Sequence, residues 1–269
     1  MIDFEVIEMM SNKNGRLRVG LALSGGVARG PVHIGVLSVL EREGIPIDCV
    51  AGVSAGSIVG ASYCAGLPLD DMRKMAISLG WRNVASPTWP RAGLVSFAKI
   101  ETLIEEWLGD LDIRDLAIPF ATVVTDLDRG EQVVLRQGRL ATAVRASCSV
   151  PGFVTPVEID GHCYCDGGVV DNLPVDAVRQ MGADFVIGVD LFVPSYRRRL
   201  GPLGAGSAAI QTLVRQSGGG FKQADCLIQP DISGHSYFNF SRKKSEQYIA
   251  LGAAAAQRVI PALKAILNR

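Results

Sequence analysis

The sequence predicts an α/β domain with a mostly parallel central sheet, on the strength of two observations. Short apolar runs with strand character alternate along the chain with segments in which apolar residues recur at helical spacing. Two of these runs, residues 17–23 and 47–53, end in glycine-containing turns that lead directly into helical segments. With 269 residues, 48% of them hydrophobic, the chain can bury a large core, and we expect one domain.

The first half of the chain alternates regularly between the two kinds of segment. After strand 17–23 we predict a helix over 32–40, and after strand 47–53 a helix over 57–65. Two aspartates in the first turn favour a further helix over 68–79. Tryptophan and proline crowd residues 80–97, which we expect to be irregular, either a lid or a packed connection.

The second half begins with a predicted helix over 99–108 and continues with a hairpin. Its strands, 121–125 and 132–135, are joined by turn residues 126–130. The remaining elements are a short helix 140–146, two short strands within 153–164, a helix 174–181 and a buried strand 185–189.

The ends of the domain and one internal segment stand apart from this pattern. Residues 194–206 hold three arginines and three glycines, and we expect a mobile surface loop there. We interpret residues 1–15 as an N-terminal extension and 16–269 as a single domain that ends in a helix at about 242–267.

Composition excludes several kinds of partner. Because 27 basic and 27 acidic residues balance, no global field attracts nucleic acid, and we expect no nucleic-acid partner. Residues 1–15 lack the layout of a secretory signal, which predicts a cytoplasmic protein. The apolar stretch 250–267 is interrupted by polar residues and a proline, so we predict an amphipathic surface helix instead of a membrane span.

The cysteines give no sign of a metal site. Most of the six lie in apolar runs, where a small buried side chain is the ordinary interpretation. Cys163 and Cys165 form a Cys-x-Cys pair, but no further ligands stand at zinc-finger spacing. The sequence therefore predicts no metal.

The segment Gly52-Val53-Ser54-Ala55-Gly56 has the Gly-x-Ser-x-Gly pattern between a predicted strand and a predicted helix. This is the context of a nucleophile elbow, in which a sharp turn exposes the serine hydroxyl beside a base and oxyanion donors. Glycines on both sides of the serine make such a turn sterically feasible.

The glycine turn after the first strand, residues 25–30, has two functional interpretations and one structural one. A dinucleotide site requires a glycine where this chain has Val27 and an acidic residue after the next strand, which is missing, so we predict no cofactor. An oxyanion hole requires only backbone N–H groups at a helix N-terminus, which Val27 still supplies. A tight turn without a catalytic role is the third interpretation.

The base for such a serine is open at this point. His33, His162 and His235 are the available histidines, and in the order serine, acid, histidine only His235 follows the acid. Asp166, followed by Gly167 and Gly168, is the best-placed carboxylate, although an ordinary Asp-Gly turn explains the same residues. An aspartate would need desolvation to become an effective base for an alcohol.

Taken together, these motifs resemble the patatin-like phospholipase family, in particular bacterial members that resemble the catalytic domain of neuropathy target esterase. Order and approximate spacing agree from about residue 17 to 230. The matching segments are residues 21–30, 33–37, 52–57, 125–127, 145–147, 151–152 and 166–174.

The resemblance implies a three-layer α/β/α domain and a serine–aspartate dyad without histidine. Ser54 would be the nucleophile and Asp166 the base, and the oxyanion donors would be the N–H groups of Gly25, Gly26, Val27 and Ala55. The supporting motif residues are Arg29, Gly30, Gly52, Gly56, Gly167 and Gly168.

Two positions depart from the family pattern. Val27 stands where the family usually has a third glycine, which implies a narrowed acyl entrance or a tilted donor, and Pro31 begins the next helix. Arg29 either braces the turn, binds a phosphate or is solvated.

The implied activity is hydrolysis of carboxylic esters of lipids, of phospholipase A, lysophospholipase or carboxylesterase type, through an acyl-serine. The alternatives are a catalytically weak lipid-binding or regulatory protein of the same fold, and an esterase for thioesters or small esters. Arg197, Arg198 and Arg199 could touch anionic head groups in a peripheral membrane contact, although a solvated loop is the favoured interpretation.

Overall fold

The computed structural model describes residues 16–89, 92–192 and 201–267. The predicted N-terminal extension, residues 1–15, lies outside the described residues, as do residues 194–200 of the predicted loop. The statements below concern the described residues.

Eight strands of the described chain form one central sheet in the order β10-β9-β1-β2-β5-β8-β7, with β6 also paired to β5. The strands β10, β9, β1, β2 and β5 run parallel to one another, whereas β6, β7 and β8 are antiparallel to their neighbours. A separate pair, β3 and β4, forms a small second sheet. The strands are β1 Val19–Leu23, β2 Cys49–Gly52, β3 Ser86–Pro87, β4 Val95–Ser96, β5 Phe120–Asp126, β6 Glu131–Leu135, β7 Val157–Ile159, β8 His162–Asp166, β9 Phe185–Val189 and β10 Cys226–Ile228.

The helices alternate with the parallel strands, as the sequence predicts. They are α1 Pro31–Arg42, α2 Ala55–Cys64, α3 Leu69–Ser78, α4 Trp81–Val84, α5 Ala98–Leu108, α6 Leu140–Ser147, α7 Val175–Gln180, α8 Gly201–Gln216, α9 Gly220–Gln223 and α10 Arg242–Leu267. Short 3-10 turns follow β1 at Val27–Arg29 and β8 at Gly167–Val169.

Both faces of the sheet are buried. Along β1, Leu21 and Leu23 belong to the larger apolar cluster, together with α1, α2, α5, α6 and α10, while Ala22 between them belongs to a smaller cluster on the opposite face. The smaller cluster includes Val178 of α7. Because alternate side chains of a strand point to opposite faces, the sheet separates two helical layers. The predicted α/β fold with a mostly parallel sheet is therefore confirmed.

Helices α1 and α10 cross in direct backbone contact on the larger face. A Cβ atom on Gly35 of α1 would lie 1.9 Å from the Ile249 carbonyl oxygen, and one on Gly252 of α10 would lie 2.0 Å from the Val32 carbonyl oxygen. By length and composition α10 is also long and apolar enough to cross a membrane, but in this fold it packs on α1 and buries Tyr248, Ala255, Ala256, Ile260 and Leu263.

The register of β5 brings two chain segments together from opposite directions. β2 pairs with the first part of β5, where Gly52 is opposite Thr122, and β8 pairs with the last part, where Asp166 is opposite Val124. β6 pairs with residues 122–126 of β5, which include residues that also pair with β2 or β8, so β6 lies on the opposite edge of β5. β2 and β8 therefore end close to each other on one edge of β5.

One expectation about the second half is wrong. The segment 194–206 was expected to be a loop, but its described part belongs to α8, which begins at Gly201. Glycine and proline are poor helix formers, yet Gly204 is buried against the domain, so tertiary packing overrides the local preference.

Candidate active site

Ser54 lies on a strained turn between β2 and α2. Its backbone has φ 52° and ψ −122°, a conformation that L-residues rarely adopt and that is typical of a nucleophile elbow. The flanking glycines are needed because the backbones nearly touch. A Cβ on Gly52 would lie 2.5 Å from the Gly56 carbonyl oxygen, and one on Gly56 would lie 2.3 Å from the Leu23 carbonyl oxygen.

The glycine turn after β1 lies directly against the elbow. A Cβ on Gly25 would lie 3.3 Å from Ser54 Cβ, and one on Gly30 would lie 3.1 Å from Ala55 Cβ. Side chains larger than hydrogen would therefore push the turn away from the serine, which explains why both positions are glycine.

Three of the four predicted oxyanion donors have N–H groups without a protein acceptor in the described part of the chain, and the fourth is engaged. The Gly25 N–H donates to the Asn172 carbonyl at 3.3 Å and is not free. Among the described residues, the N–H groups of Gly26, Val27 and Ala55 have no hydrogen-bond acceptor in the protein. Ala55 is the first residue of α2, so its N–H also has the favourable electrostatics of a helix N-terminus.

Asp166 reaches Ser54 from the end of β8. The Asp166 carboxyl adjoins the Ser54 side chain, and Asp166 Oδ1 accepts the Gly168 N–H at 2.8 Å. Burial raises the pKa of Asp166 to about 6, although the Gly168 N–H and the Ser54 hydroxyl act in the opposite direction. Ser54 is 6% exposed and Asp166 7%, so the pair is largely shielded from water. The carboxylate is a stronger base than an ordinary aspartate.

Two side chains at the end of α6 hold the elbow, and sequence reasoning assigned them no such role. Ser147 Oγ accepts the Ser54 N–H at 2.9 Å and donates to the Val123 carbonyl at 2.8 Å. The thiol of Cys148 lies 3.9 Å from Ser57 Oγ in the helix that follows the elbow, and burial raises its pKa, so it is a neutral group at physiological pH. The only sequence signal was the family-like segment 145–147.

Arg29 is buried beneath the glycine turn, which it stabilises through its contacts, and it is not solvated. It is fully buried, donates to the Leu191 carbonyl at 2.9 Å and to the His235 carbonyl at 2.6 Å, and its guanidinium lies 3.4 Å from the Tyr237 ring centroid. The neighbouring Ala28 N–H donates to the Tyr237 carbonyl at 2.9 Å. The turn is therefore anchored to the segment that precedes α10.

None of the histidines is hydrogen-bonded to Ser54 in the described part of the chain. His33 is buried in α1, where its Nε2 lies 2.9 Å from the Ser24 carbonyl oxygen, and burial lowers its pKa to about 4. The ring of His235 lies beside Tyr248, and His162 lies beside Asp126. The geometry thus favours the carboxylate alternative for the base.

A group of three ligand-type residues lies at the far end of β5 and β8. The ligand atoms of Asp126, Asp128 and His162 are within 4.8 Å of one another, with Asp126 Oδ2 3.2 Å from His162 Nδ1. Asp126 Oδ1 accepts the N–H groups of Asp128 and Arg129, which is the arrangement of a hairpin turn. Sequence spacing did not reveal this group, and the expected absence of a metal stays a prediction.

Comparison with known proteins decides the family. The model of the family described as patatin-like phospholipase matches residues 21–179, which is more than half of the chain and includes both Ser54 and Asp166. The chain belongs to the patatin-like phospholipase family.

Several relatives carry the same domain within longer proteins. An uncharacterized NTE family protein of Mycobacterium tuberculosis is 39% identical over 177 residues, which are 65% of this chain and 49% of the relative. Neuropathy target esterase sws of Drosophila melanogaster is 34% identical over 181 residues, 64% of this chain and 13% of the relative. Patatin-like phospholipase domain-containing protein 6 of Homo sapiens is 37% identical over 183 residues, which are 64% of this chain and 13% of the relative. The patatin-like chain therefore spans half or less of the length of these relatives.

Solved structures support the fold. VipD from Legionella pneumophila aligns with a TM-score of 0.64 at 14% identity, over 97% of this chain and 73% of VipD. ExoU in its complex with SpcU from Pseudomonas aeruginosa aligns with a TM-score of 0.51 at 16% identity, over 94% and 52% of the two chains. At these identities the likeness concerns the fold alone.

Val27 occupies the family's third glycine position in a conformation suited to glycine. Its φ is 52°, and a β-branched residue at positive φ is strained by about 1 to 2 kcal/mol. We expect Val27→Gly to raise the free energy of unfolding by about 1 kcal/mol after the flexibility of glycine is counted. The change also removes a side chain beside the oxyanion N–H groups. The rate of hydrolysis of long-chain p-nitrophenyl esters should therefore rise relative to the rate for short-chain esters.

The control for this change is Asp160→Gly, which relieves another positive φ, 51°, in the turn between β7 and β8. It should leave the chain-length profile unaltered. Denaturant unfolding and esterase assays of both variants check the prediction, and a Val27→Gly protein that is less stable than wild type contradicts it.

Proposed function

We propose that this patatin-like chain hydrolyses carboxylic esters of lipids through a Ser54–Asp166 dyad and an acyl-serine intermediate. The observation that carries the proposal is a serine on a strained elbow whose side chain adjoins a buried aspartate with its pKa raised to about 6. Relatives named as an esterase and as a patatin-like phospholipase domain-containing protein support ester hydrolysis and a lipid substrate.

Acylation would begin when Ser54 Oγ attacks the ester carbonyl carbon and its proton passes to the Asp166 carboxylate. The negative charge that develops on the carbonyl oxygen is stabilised by the N–H groups of Gly26, Val27 and Ala55. Collapse of the tetrahedral intermediate breaks the carbon–oxygen bond to the alcohol, which receives the proton from Asp166.

Deacylation repeats the same steps with water as the nucleophile. Asp166 accepts a proton from the water as it attacks the acyl carbon, and Ser54 Oγ recovers that proton when the fatty acid leaves. The Ser54 N–H is held by Ser147, so the serine backbone keeps its position through both half-reactions.

Within lipid esters, we propose lysophospholipids and phospholipids as the substrate class, because the family description names phospholipase activity. The cytoplasmic location stays a prediction. Two alternatives remain, a catalytically weak lipid-binding protein and an esterase for thioesters or small esters. The experiment is designed to distinguish them from the proposed lipid hydrolase.

The test compares wild type, Ser54→Ala and Asp166→Asn on a panel of p-nitrophenyl esters, acyl thioesters and lysophospholipids. Loss of one member of a catalytic pair lowers the rate by about 10² to 10⁴ or more, so we expect both variants to be nearly inactive. A fluorophosphonate should label wild type at Ser54 and should not label Ser54→Ala.

Two matched variants serve as controls. Ser62→Ala removes a buried hydroxyl from the same helix, where it donates to the Ile58 carbonyl. Asp171→Asn removes a second buried carboxyl, whose pKa burial and the nearby Asp176 raise to about 7, and which accepts a hydrogen bond from Gln132. Both should retain activity. Full hydrolysis by Ser54→Ala would overturn the proposal, and lysolipid binding by wild type without turnover or labelling would favour the lipid-binding alternative.

A further inference from the structure

The ends of two strands bring together three side chains of the kinds that bind metal ions. Asp126 ends β5, Asp128 lies in the turn that follows, and His162 begins β8. β5 and β8 are antiparallel, and Asp126 is opposite Tyr164. Because side chains two residues apart in a strand share a face, His162 lies on the same face of the sheet as Asp126. The ligand atoms of Asp126, Asp128 and His162 all lie within 4.8 Å of one another.

One ligand atom of this group is buried without a hydrogen-bond donor. Asp126 is fully buried, and its Oδ1 accepts the N–H groups of Asp128 and Arg129 at 2.9 and 3.1 Å. Its Oδ2 has no hydrogen-bond partner in the described part of the chain. The atom faces His162 Nδ1 at 3.2 Å, but that contact does not have the geometry of a hydrogen bond. A buried carboxylate oxygen without a donor is costly, and a cation beside it would remove that cost.

The separation of these two atoms fits two ligands of one metal ion. Protein oxygen and nitrogen ligands lie about 2.0 to 2.2 Å from Zn²⁺, so neighbouring ligands of a tetrahedral site are about 3.4 Å apart. The third ligand, Asp128, is exposed, and its Oδ2 accepts the Cys163 N–H at 3.0 Å. That hydrogen bond orients the carboxylate and leaves lone pairs on both of its oxygens. Three protein ligands leave a fourth position for water.

The electrostatic field around the group favours a cation. In the described part of the chain, neither Asp126 nor Asp128 forms an ion pair with a lysine or arginine, and the His162 ring is the group that approaches Asp126 Oδ2. Burial, followed by the carboxylates of Asp128, Glu158 and Asp126, raises the pKa of the neighbouring Cys163 thiol. A divalent cation would balance the two carboxylates of the group.

We propose that Asp126, Asp128 and His162 bind a divalent transition-metal ion, such as Zn²⁺, that links the turn after β5 to the start of β8. A histidine nitrogen beside two carboxylate oxygens favours Zn²⁺, Mn²⁺ or Co²⁺ over Mg²⁺ and Ca²⁺, which take oxygen ligands. The prediction of no metal rested on the spacing of the cysteines, whereas folding assembles this group from two separate turns.

The assigned role of the ion is structural. Asp166 ends the same strand that His162 begins, about 13 Å further along at ~3.3 Å per residue. At that distance the ion takes no part in the reaction at Ser54. It stabilises the pairing of β8 with β5, and so the strand that carries the candidate base.

The experiment titrates Zn²⁺ into the metal-free full chain at neutral pH by isothermal titration calorimetry, and we expect one ion per chain. Asp128→Asn keeps an acceptor for the Cys163 N–H but removes the charge, and His162→Gln removes the ring nitrogen. Each should weaken Zn²⁺ binding at least about tenfold. At a free concentration about a hundredfold above its Kd, Zn²⁺ should raise the wild-type Tm by about 5 °C. The same concentration should raise the Tm of either variant by less.

Two control variants distinguish this group from other ligands. Asp160→Asn removes an exposed carboxylate from the turn between β7 and β8, and it should bind Zn²⁺ like wild type. Cys163→Ser removes a neighbouring thiol and should also bind normally. Co²⁺ bound in place of Zn²⁺ should show no cobalt–thiolate charge-transfer absorption, because the proposed ligands are oxygen and nitrogen.

Several results would overturn the proposal. Absence of stoichiometric Zn²⁺ binding does so, as does undiminished affinity in Asp128→Asn and His162→Gln. Loss of binding in Cys163→Ser, or a cobalt–thiolate band, assigns the ion to a thiol. An equal rise in Tm with Ca²⁺ contradicts ligation by histidine. Circular dichroism of each variant, which should match wild type, separates lost binding from lost folding. Because the readouts are metal binding and unfolding, the result does not depend on ester hydrolysis.

Discussion

Asp166→Asn is expected to abolish ester hydrolysis while it makes the folded protein more stable above about pH 7. Burial raises the pKa of Asp166 to about 6 from its ordinary value of 3.8, which corresponds to about 3 kcal/mol of preference for the neutral acid. Because the folded-state pKa is raised, this stabilising contribution is fully present below the unfolded pKa and is lost as the pH rises through about 6. Asparagine is neutral at every pH and avoids that loss.

The measurement is denaturant unfolding of wild type and Asp166→Asn at about pH 4 and pH 8, together with the pH profile of wild-type kcat/KM. The gain in stability should be near zero at the acid end and about 3 kcal/mol at the alkaline end. Since the base must be ionised, kcat/KM should fall about tenfold per pH unit below the pKa of the carboxyl.

Asp171→Asn is again the control, because burial raises the pKa of that carboxyl to about 7 as well. It should also gain stability at alkaline pH, but it should keep its activity. If the stability of Asp166→Asn relative to wild type does not depend on pH, the pKa of the buried Asp166 carboxyl is not raised. An acid limb that persists unchanged in active Asp166→Asn protein contradicts its role as the base.

Gly252→Ala is expected to lower the free energy of unfolding by about 3 kcal/mol or more, although alanine is the better helix former. The added Cβ would lie 2.0 Å from the Val32 carbonyl oxygen, so α10 and α1 would have to separate. Val32 follows Pro31 at the start of α1, directly after the glycine turn. We therefore expect esterase activity to fall as well, since the shift reaches the oxyanion donors.

Gly206→Ala is the matched control, because this glycine is also helical and a Cβ there would meet nothing within 4 Å. It should raise stability by about 1 kcal/mol through helix propensity alone. Thermal and denaturant unfolding of the two variants measure the contrast. Equal stability of Gly252→Ala and wild type would show that α1 and α10 can move apart freely.

The elements that the sequence predicted well are those whose signal is local. Strand 185–189 is found at its expected bounds, and the hairpin turn at 126–130 joins β5 and β6. The helix α8 was missed because Gly201, Pro202 and Gly204 give it a poor local signal. Strand β10 was missed because three residues are too few for a period to show, and pairing with β9 creates it.

In the candidate site, too, local features could be predicted from the sequence and long-range contacts could not. The elbow and the glycine turn are local motifs, so Ser54 and its neighbours could be named from the sequence. The engagement of the Gly25 N–H by Asn172, and the support of Ser54 by Ser147, join residues about a hundred or more positions apart in the chain. Only the folded chain shows which donors remain free.

The edge of β5 shared by β2 and β8 implies a particular tolerance to insertion and deletion. The distance between Ser54 and Asp166 is set by how two strands pair with β5: Gly52 of β2 lies opposite Thr122, and Asp166 of β8 lies opposite Val124. The turns at Asp128-Arg129 and Asp160-Gly161 lie beyond the ladders that fix those registers. Loops there can lengthen or shorten among related chains without moving the two reacting groups, whereas a slip of one residue within β8 would exchange Asp166 for a neighbour facing the opposite side of the sheet.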